Sequence, residues 1–174
     1  MIISFFIDLY KEKKHKEVNI MSYSAIKVSR YIIKYSNENN LIISNLKLQK
    51  LLYFIQSHFL VQKNEICFTD EIKTSDLGPI VQNVYDEYKH FGAGNIPFIF
   101  VSYEISKDDI REDDRKLIDE VIDEFSTFRS SELMEMIKNQ DPWIRTYKQG
   151  DKISIDTKLL KEFFTNYKRK KKEI

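Results

Sequence analysis

Apolar residues recur three to four positions apart along most of this chain, which is the spacing of amphipathic helices. Residues 23–37 carry such a stripe after Ser22, a good helix N-cap, so a first helix is predicted there. From Asn45 the sequence is apolar over more than half of a helical circumference, which indicates the central helix of a fold. NENN at 37–40 separates the two helices as a turn signal, because asparagine tolerates left-handed backbone.

Further helices are predicted in the second half of the chain. One runs from Pro79, which suits the first position of a helix, to about Phe91, where Gly92 stops it. The next follows Ser106 and Asp109, which resemble a capping box. Three shorter helices complete the pattern: one from Ser130, one opened by Asp141-Pro142-Trp143, and one over residues 156–167.

Residues 65–77 break the helical period. The stretches ICF and EIKTS, separated by Thr69-Asp70, resemble two short strands and predict a hairpin. The predicted fold class is therefore mainly α. We expect a compact domain of six to seven helices, with a small β-hairpin between the second and third core helices.

The charge distribution divides the chain into three parts. Residues 168–174 carry five basic residues against one glutamate, and residues 1–20 are slightly basic, so the body at 21–167 has a net charge of −4. We expect a domain at 21–167, preceded by an N-terminal extension at 1–20 and followed by a basic C-terminal tail at 168–174. The extension is either an upstream start or an accessory helix that docks Phe5 and Phe6 on the domain.

The acidic body argues against nucleic acid as a partner, since nucleic-acid-binding domains concentrate positive charge on the folded face. No apolar run is long enough to span a membrane, and the run at residues 2–10 lacks the basic flank of a secretory signal. The single cysteine excludes a disulfide framework. We therefore expect a cytoplasmic protein without a membrane segment.

Candidate catalytic and metal-binding groups do not form a recognisable set. The histidines His15, His58 and His90 are scattered, and no HxxxH, HxH or CxxC spacing occurs. Cys67 has apolar neighbours, which suits a buried thiol better than a nucleophile. The carboxylates at 104–124 fall on one helix face, which suits a solvated surface or a site that recruits a basic partner. We expect no enzyme activity, no metal and no cofactor.

Three stretches of the sequence have counterparts, in the same order, in a known family. They are NLKLQKLLYFIQ at 45–56, LGPIVQNVYDEYKHFG at 77–92 and ELMEMIKNQDPW at 132–143. They resemble the signature helix, the Gly-Pro turn with its following helix, and the Pro-Trp helix of the Panacea antitoxin domain. That family is also described as SocA-like, or as GepA-like phage-associated proteins, and the resemblance covers about residues 22–167.

The resemblance implies a mainly helical antitoxin of a toxin–antitoxin system that acts without catalysis. Members neutralise a cognate toxin by direct protein–protein binding, and some resemble adaptors that hand the toxin to an ATP-dependent protease. The expected partner is therefore a cognate toxin. The alternative is a phage-associated DNA-binding regulator, or an interaction module without toxin neutralisation, and an enzyme is a third class. The sequence leaves the oligomeric state open.

Candidate partner-binding residues come from a polar edge of the signature helix and from the turn expected beside it. They also suit a second interpretation, in which they only solubilise the edge of a buried helix, and the sequence leaves both open. The candidates are Lys47, Gln49, Lys50, Tyr53, Asp76, Gly78 and Pro79. The residues expected in the core of the same motifs are Leu48, Leu51, Leu52, Tyr85 and Trp143.

Overall fold

Helices dominate the structure, a computed structural model that describes residues 22–102 and 110–172. The prediction of a mainly helical fold is confirmed. Two turns of 3₁₀ helix, Lys89–Phe91 and Phe98–Phe100, join longer elements. The described ranges hold seven α-helices: α1 (Ala25–Glu38), α2 (Asn45–Gln62), α3 (Gln82–Tyr88), α4 (Glu112–Phe125), α5 (Ser130–Lys138), α6 (Asp141–Ile144) and α7 (Thr157–Lys172).

Helix α2 is the centre of the fold, as its apolar circumference predicted. It packs against α1, α3, α4, α5 and α7, and it is buried on nearly all sides. Leu48, Leu51 and Leu52 are buried, which confirms their predicted place in the core. Burying one leucine side chain contributes about 1.5–3 kcal/mol, so this helix provides a large part of the apolar burial.

Helix α1 begins later than the sequence predicted. Its N-cap is Ser24, whose hydroxyl accepts a hydrogen bond from the Lys27 amide at 3.2 Å, and not Ser22. The reason is that Tyr23 is held in extended backbone, where its amide donates to the Cys67 carbonyl at 2.8 Å. The chain can therefore turn into a helix only after Tyr23.

Several ends of elements follow the predicted local chemistry. Asn40 has φ +57°, so the NENN segment makes the left-handed turn that asparagine allows. Gly92, at φ +58°, follows the 3₁₀ turn after α3 and stops it, as expected. Helix α7 continues to Lys172, beyond the predicted end at Tyr167.

The predicted β-hairpin is wrong. Residues 65–77, all of which are described, form no strand and take part only in isolated bridges to residues outside the segment. The pattern correctly indicated non-helical backbone, but the segment does not pair with itself. The bridges join Tyr23 to Phe68, Lys73 to Ile80, and Lys73 to Ser154.

A side chain of α2 takes the place of a strand partner for part of this segment. Gln56 accepts hydrogen bonds from the amides of Cys67 at 2.8 Å and Phe68 at 3.2 Å, and it donates to the Phe68 carbonyl at 3.0 Å. Because Gln56 is buried, these bonds satisfy backbone groups that water does not reach. The segment is thereby fixed to α2.

The prediction that Pro79 opens the third helix is also wrong. Ile80 and Lys73 exchange two backbone hydrogen bonds of 2.8 Å, which keep the backbone after Pro79 extended. Val81 is extended as well, and α3 begins only at Gln82. The Gly78-Pro79 turn therefore stands apart from α3 and lies against α2.

A buried carboxylate ties the start of the described chain to two helices. Asp114, in the first turn of α4, accepts hydrogen bonds from the Tyr23 hydroxyl at 2.5 Å and the Arg111 guanidinium at 2.8 Å. It also forms an ion pair with Lys63, which follows α2. Burial opposes ionisation of Asp114, but these donors hold its pKa below the usual value.

Some predictions fall outside the described residues. They concern the extension at 1–20 with Phe5 and Phe6, the capping box of Ser106 and Asp109, and the end of the basic tail at 173–174. The division of the chain at residues 20 and 167 stays a prediction. Within 22–102 and 110–172, no helix has the length and apolar character needed to cross a membrane.

Candidate functional site

The turn at residues 75–79 lies directly on α2 and leaves no room for a side chain at Gly78. Gly78 has φ +103°, a backbone conformation that favours glycine. A Cβ atom there would lie 2.5 Å from the sulfur of Met134 and 2.9 Å from Cε and Nζ of Lys50. The backbone conformation therefore favours glycine, and a side chain here would also force the ends of Met134 and Lys50 to move.

Lys50 lies beneath this turn, with only 1% of its surface exposed. Its ammonium group donates a hydrogen bond to the Leu77 carbonyl at 2.5 Å. No ion pair among the described residues includes Lys50, and burial lowers its pKa to about 8. The prediction that Lys50 lies on an exposed polar edge is wrong, because the turn can close over it where Gly78 has no side chain.

Gln49 and Tyr53 are buried too, and each holds a neighbouring element. The Gln49 side-chain oxygen accepts a hydrogen bond from the Val81 amide at 2.8 Å, just before α3. The Tyr53 hydroxyl donates to the side chain of Gln140 at 2.7 Å, just before α6. Their predicted place on an exposed edge is wrong, since both fix the turn and the α5–α6 junction to α2 from inside.

Lys47 and Tyr85 are half-buried. The Lys47 ammonium donates to the Ser126 carbonyl at 2.7 Å, at the C-terminal end of α4, where the helix dipole favours a cation. Burial lowers the pKa of Lys47. Lys47 thus contacts α4 and not the Gly78 turn. Tyr85 was predicted to lie in the core, but its side chain is only half-buried.

A cleft of about 340 Å³ opens beside the turn. Asp76 stands at its rim, where its carboxylate accepts hydrogen bonds from the Tyr147 hydroxyl at 2.9 Å and the Gly150 amide at 3.2 Å. The bond to Asp76 raises the pKa of Tyr147. The residues that line the cleft are Asp76, Met134, Lys138, Trp143, Ile144 and Tyr147.

One exposed apolar side chain, Ile144, lines this cleft, and a second, Leu77, follows the rim residue Asp76 in the chain. Leu77 is 47% exposed and Ile144 is 59% exposed. Trp143, buried as predicted, stacks on Tyr147 with ring centroids 4.9 Å apart. Apolar groups around aromatic residues, with a polar rim, are typical of a protein-binding surface. We call the six lining residues together with Leu77 the cleft surface.

The structure brings only part of the predicted site together. Asp76 lies on the cleft surface and Gly78-Pro79 lies beneath it, whereas the four candidates on α2 are buried or contact α4. The sequence reasoning missed Leu77 and Ile144. A signal was present for both: Leu77 precedes a Gly-Pro turn and belongs to no helical stripe, and Ile144 follows the inward-facing Trp143.

The one cysteine is buried, as predicted. Burial raises the pKa of the Cys67 thiol well above its usual value, which disfavours the thiolate. Among the residues that the structure describes, no group of three or more His, Cys, Asp or Glu side chains could hold a metal ion.

Comparison with models of protein families gives a match over residues 48–144, to the family described as antitoxin SocA-like, Panacea domain. The matched range includes most of α2, the Gly78 turn, α3 to α6, and the cleft surface apart from Tyr147. Neither the curated proteins nor the solved structures gave a match.

Proposed function

From the premise that this chain belongs to the antitoxin SocA-like, Panacea domain family, we propose that it neutralises a cognate toxin by binding it directly. The family model matches more than half of the chain, and the three motifs of the sequence lie largely within that match. The observation that supports a direct contact is the exposure of Leu77 and Ile144 at the cleft surface.

The cleft surface suits protein binding because its shape is fixed before a partner arrives. Gly78 packs on Met134 and Lys50, and Gln49 holds the residue that follows the turn. A surface that is already ordered loses less conformational entropy on association, so more of the contact energy appears as affinity. Leu77 and Ile144 would then supply apolar contact.

We infer binding and not catalysis. The charged groups at the cleft surface already have partners: Tyr147 and Gly150 hold the Asp76 carboxylate, and Lys138 pairs with Glu135. Cys67 is buried, and burial raises the pKa of its thiol, which disfavours the thiolate. A hydrolase activity abolished by changing a single Asp or Glu would contradict this inference.

The proposal is tested by co-expression with the protein encoded in the adjacent reading frame. Wild-type chain should restore growth that this protein arrests, and it should retain the toxin in a pull-down. Leu77→Asp and Ile144→Asp should each weaken capture at least about tenfold, because a charge placed at the centre of an apolar contact is desolvated. Unchanged growth arrest with both wild-type proteins soluble would contradict the proposal.

A matched control separates loss of contact from loss of folding. Ile42 is 72% exposed in the loop between α1 and α2 and does not line the cleft. Ile42→Asp makes the same chemical change and should leave both folding and toxin capture unchanged. If Ile42→Asp weakens capture as much as Leu77→Asp does, the toxin does not bind through the cleft surface.

Two finer statements rest on the family resemblance and stay predictions: an association with phage genes, and an ATP-dependent protease as a second partner. A cytoplasmic location, expected from the composition and the single cysteine, stays a prediction too. A DNA-binding regulator is the competing class. Salt-dependent retention of the chain on duplex DNA, without any rescue of growth, would favour that class over the proposed antitoxin.

A further inference from the structure

Three extended segments of the chain lie side by side. Lys73 is bridged to Ile80 on one side and to Ser154 on the other, and both bridges are antiparallel. Lys73 and Ile80 exchange both of their backbone hydrogen bonds, each of 2.8 Å. Two further bonds of 2.8 Å flank the bridge to Ser154: the Thr74 amide donates to the Ile153 carbonyl, and the Ile155 amide donates to the Ile72 carbonyl. Ser154 therefore belongs to an outer segment, residues 152–156, which we call the edge segment.

The outward side of the edge segment has unpaired backbone groups. Where hydrogen bonds flank two opposed residues of an antiparallel pair, the N–H and C=O of each opposed residue point away from the other. Lys73 uses these groups to bind Ile80. Ser154 is exposed, and neither its N–H nor its C=O has a hydrogen-bond partner among the described residues. Such an edge can pair with a further extended segment.

The edge segment is complementary to itself when two copies run in opposite directions. Its sequence is KISID at 152–156. Lys152, Ser154 and Asp156 are exposed. Ile155 is buried and Ile153 is half-buried, so the side chains alternate as in an extended strand. Antiparallel pairing about Ser154 places Lys152 of each copy opposite Asp156 of the other, and the two isoleucines face each other in the same way.

We propose that a second copy of this chain binds the edge segment, so that the protein forms a dimer with two-fold symmetry. The Ser154 amide of each copy donates to the Ser154 carbonyl of the other, and the extended segments of both copies become continuous. Each chain uses the same patch, as a two-fold axis requires. The dimer forms without a toxin, so this inference does not rest on the proposed function.

Pairing through the edge segment ends at two chains. Each copy uses its one outward edge for the other, which leaves that edge unavailable to a third chain. The opposite outer segment does not offer an alternative. Ile80 is buried, and the amide of the next residue, Val81, donates to the Gln49 side chain of α2 at 2.8 Å. The assembly is therefore closed, and the opposite charges of Lys152 and Asp156 fix its register.

The test is the mass of the full-length chain as a function of concentration, measured by sedimentation equilibrium. The mass should rise from one chain towards two chains between about 1 µM and about 1 mM, the range expected of a small reversible interface. Ser154→Pro removes the outward N–H and no internal hydrogen bond, and proline is accepted at an exposed edge. The dissociation constant of its dimer should rise at least about tenfold, since each dimer loses two hydrogen bonds.

Ser154→Ala is the matched control for the proline variant. It removes the same side chain but keeps the N–H, so its dissociation constant should lie within about twofold of the wild-type value. Urea midpoints of both variants should equal that of wild type at a concentration where all three are monomers, which shows that the fold is intact.

A charge variant gives a second measurement without a change of backbone. Lys152→Glu places a carboxylate opposite Asp156 twice in each dimer, and at low salt it should raise the dissociation constant at least about tenfold. Lys168→Glu makes the same charge change at an exposed position outside the edge segment and should leave the dissociation constant at the wild-type value.

Two results would overturn the proposal. One is a mass of a single chain at every concentration up to about 1 mM. The other is a dimer whose dissociation constant is the same in wild type and in Lys152→Glu, because the two copies would then meet through another surface. The charge variant decides in this way even if Ser154→Pro fails to fold.

Discussion

Lys50 is costly for the stability of the fold and at the same time binds a neighbouring segment. Among the described residues the buried Lys50 ammonium faces no carboxylate, and the one carbonyl that it binds there, that of Leu77, replaces only part of its lost hydration. A hydrophobic residue of similar volume is often neutral or stabilising at such a place. We infer that Lys50 is kept because it holds the turn that presents Leu77.

The first prediction concerns the pH dependence of stability. The folded pKa of Lys50 is about 8, below its usual 10.5, so between these values the unfolded chain binds a proton that the folded chain does not. The free energy of unfolding should therefore rise with pH across this window, by up to about 3 kcal/mol. Chemical denaturation at a series of pH values measures it.

Lys50→Met isolates this contribution. Compared with wild type, the variant should be at least as stable at pH 7, and the rise between pH 8 and pH 10.5 should be lost. Lys158→Met, at an exposed position in α7, should keep the wild-type profile. A Lys50→Met profile that follows wild type through this window would show that the ammonium is not desolvated.

Gly78 gives a second prediction at the scale of one residue. In Gly78→Ala the new methyl group meets Met134 and Lys50 and the backbone is strained, so the free energy of unfolding should fall by about 2–4 kcal/mol. Gly150→Ala is the matched control, because Gly150 also has a positive φ but nothing lies within 4 Å of the added Cβ. In thermal melts, Gly78→Ala should lose more stability than Gly150→Ala. An equal loss of stability in the two variants would mean that backbone strain alone favours glycine at position 78.

At the scale of elements, α2 is both the core helix and the support for irregular segments around it. Three of its buried polar side chains bind backbone or side chains outside the helix: Gln49 binds Val81, Tyr53 binds Gln140, and Gln56 binds the 67–68 segment. Such groups are costly when unsatisfied, so each one specifies where a neighbouring segment must lie.

Gln56→Leu should therefore destabilise the protein although leucine is the better helix former. The change leaves the amides of Cys67 and Phe68 and one carbonyl without partners, which should cost at least about 3 kcal/mol. Gln62→Leu, at an exposed position of the same helix, should cost about 0.5 kcal/mol or less. Equal midpoints in urea for the two variants would disprove this role of Gln56.

These polar contacts also explain which parts of the fold the sequence predicted. Periodicity located α1, α2 and the other helices because apolar burial follows a local rule of spacing. It could not show that residues 65–77 pair with Tyr23 and Ser154, which are distant in the chain, or with Ile80 and the Gln56 side chain, which follow no spacing rule. The stretch is not helical and the sequence shows no partner for it, so the pattern predicted that it pairs with itself as a hairpin.

The candidate site was only partly predictable for a related reason. A lysine among leucines is normally read as exposed, and the sequence contains no sign that the Gly78 turn folds back over Lys50. Asp76 and the Gly-Pro turn were found because the turn chemistry is local. Leu77 and Ile144 were missed because exposure of an apolar residue is a tertiary property.

At the scale of the whole molecule, Asp114 connects the start of the described chain, the residue after α2 and the beginning of α4. Asp114→Asn removes the charge that Lys63 and Arg111 face and should lower the free energy of unfolding by about 1–3 kcal/mol at pH 7. Because the folded pKa of Asp114 is below its usual 3.8, this contribution is present above that value and is lost as the pH falls through the folded pKa. The stability curves of wild type and variant should therefore converge in acid.

Asp113→Asn is the control for this whole-molecule effect. Asp113 is the exposed neighbour of Asp114 in the first turn of α4. Replacing its carboxylate by the asparagine amide should therefore change the free energy of unfolding by about 0.5 kcal/mol or less. Guanidinium-induced unfolding at pH 7 and at pH 3 gives both comparisons. A difference between wild type and Asp114→Asn that is the same at both pH values would show that the carboxylate charge is not the cause.

The stacked pair of Trp143 and Tyr147 gives the cleft surface an optical consequence. Trp143 is the one tryptophan of the chain, and it lines the cleft against a tyrosine ring 4.9 Å away. Its fluorescence therefore arises from a single known place, so a ligand that seats against Ile144 should shift its emission or change its quenching. One unlabelled titration can then report whether the cleft surface is occupied.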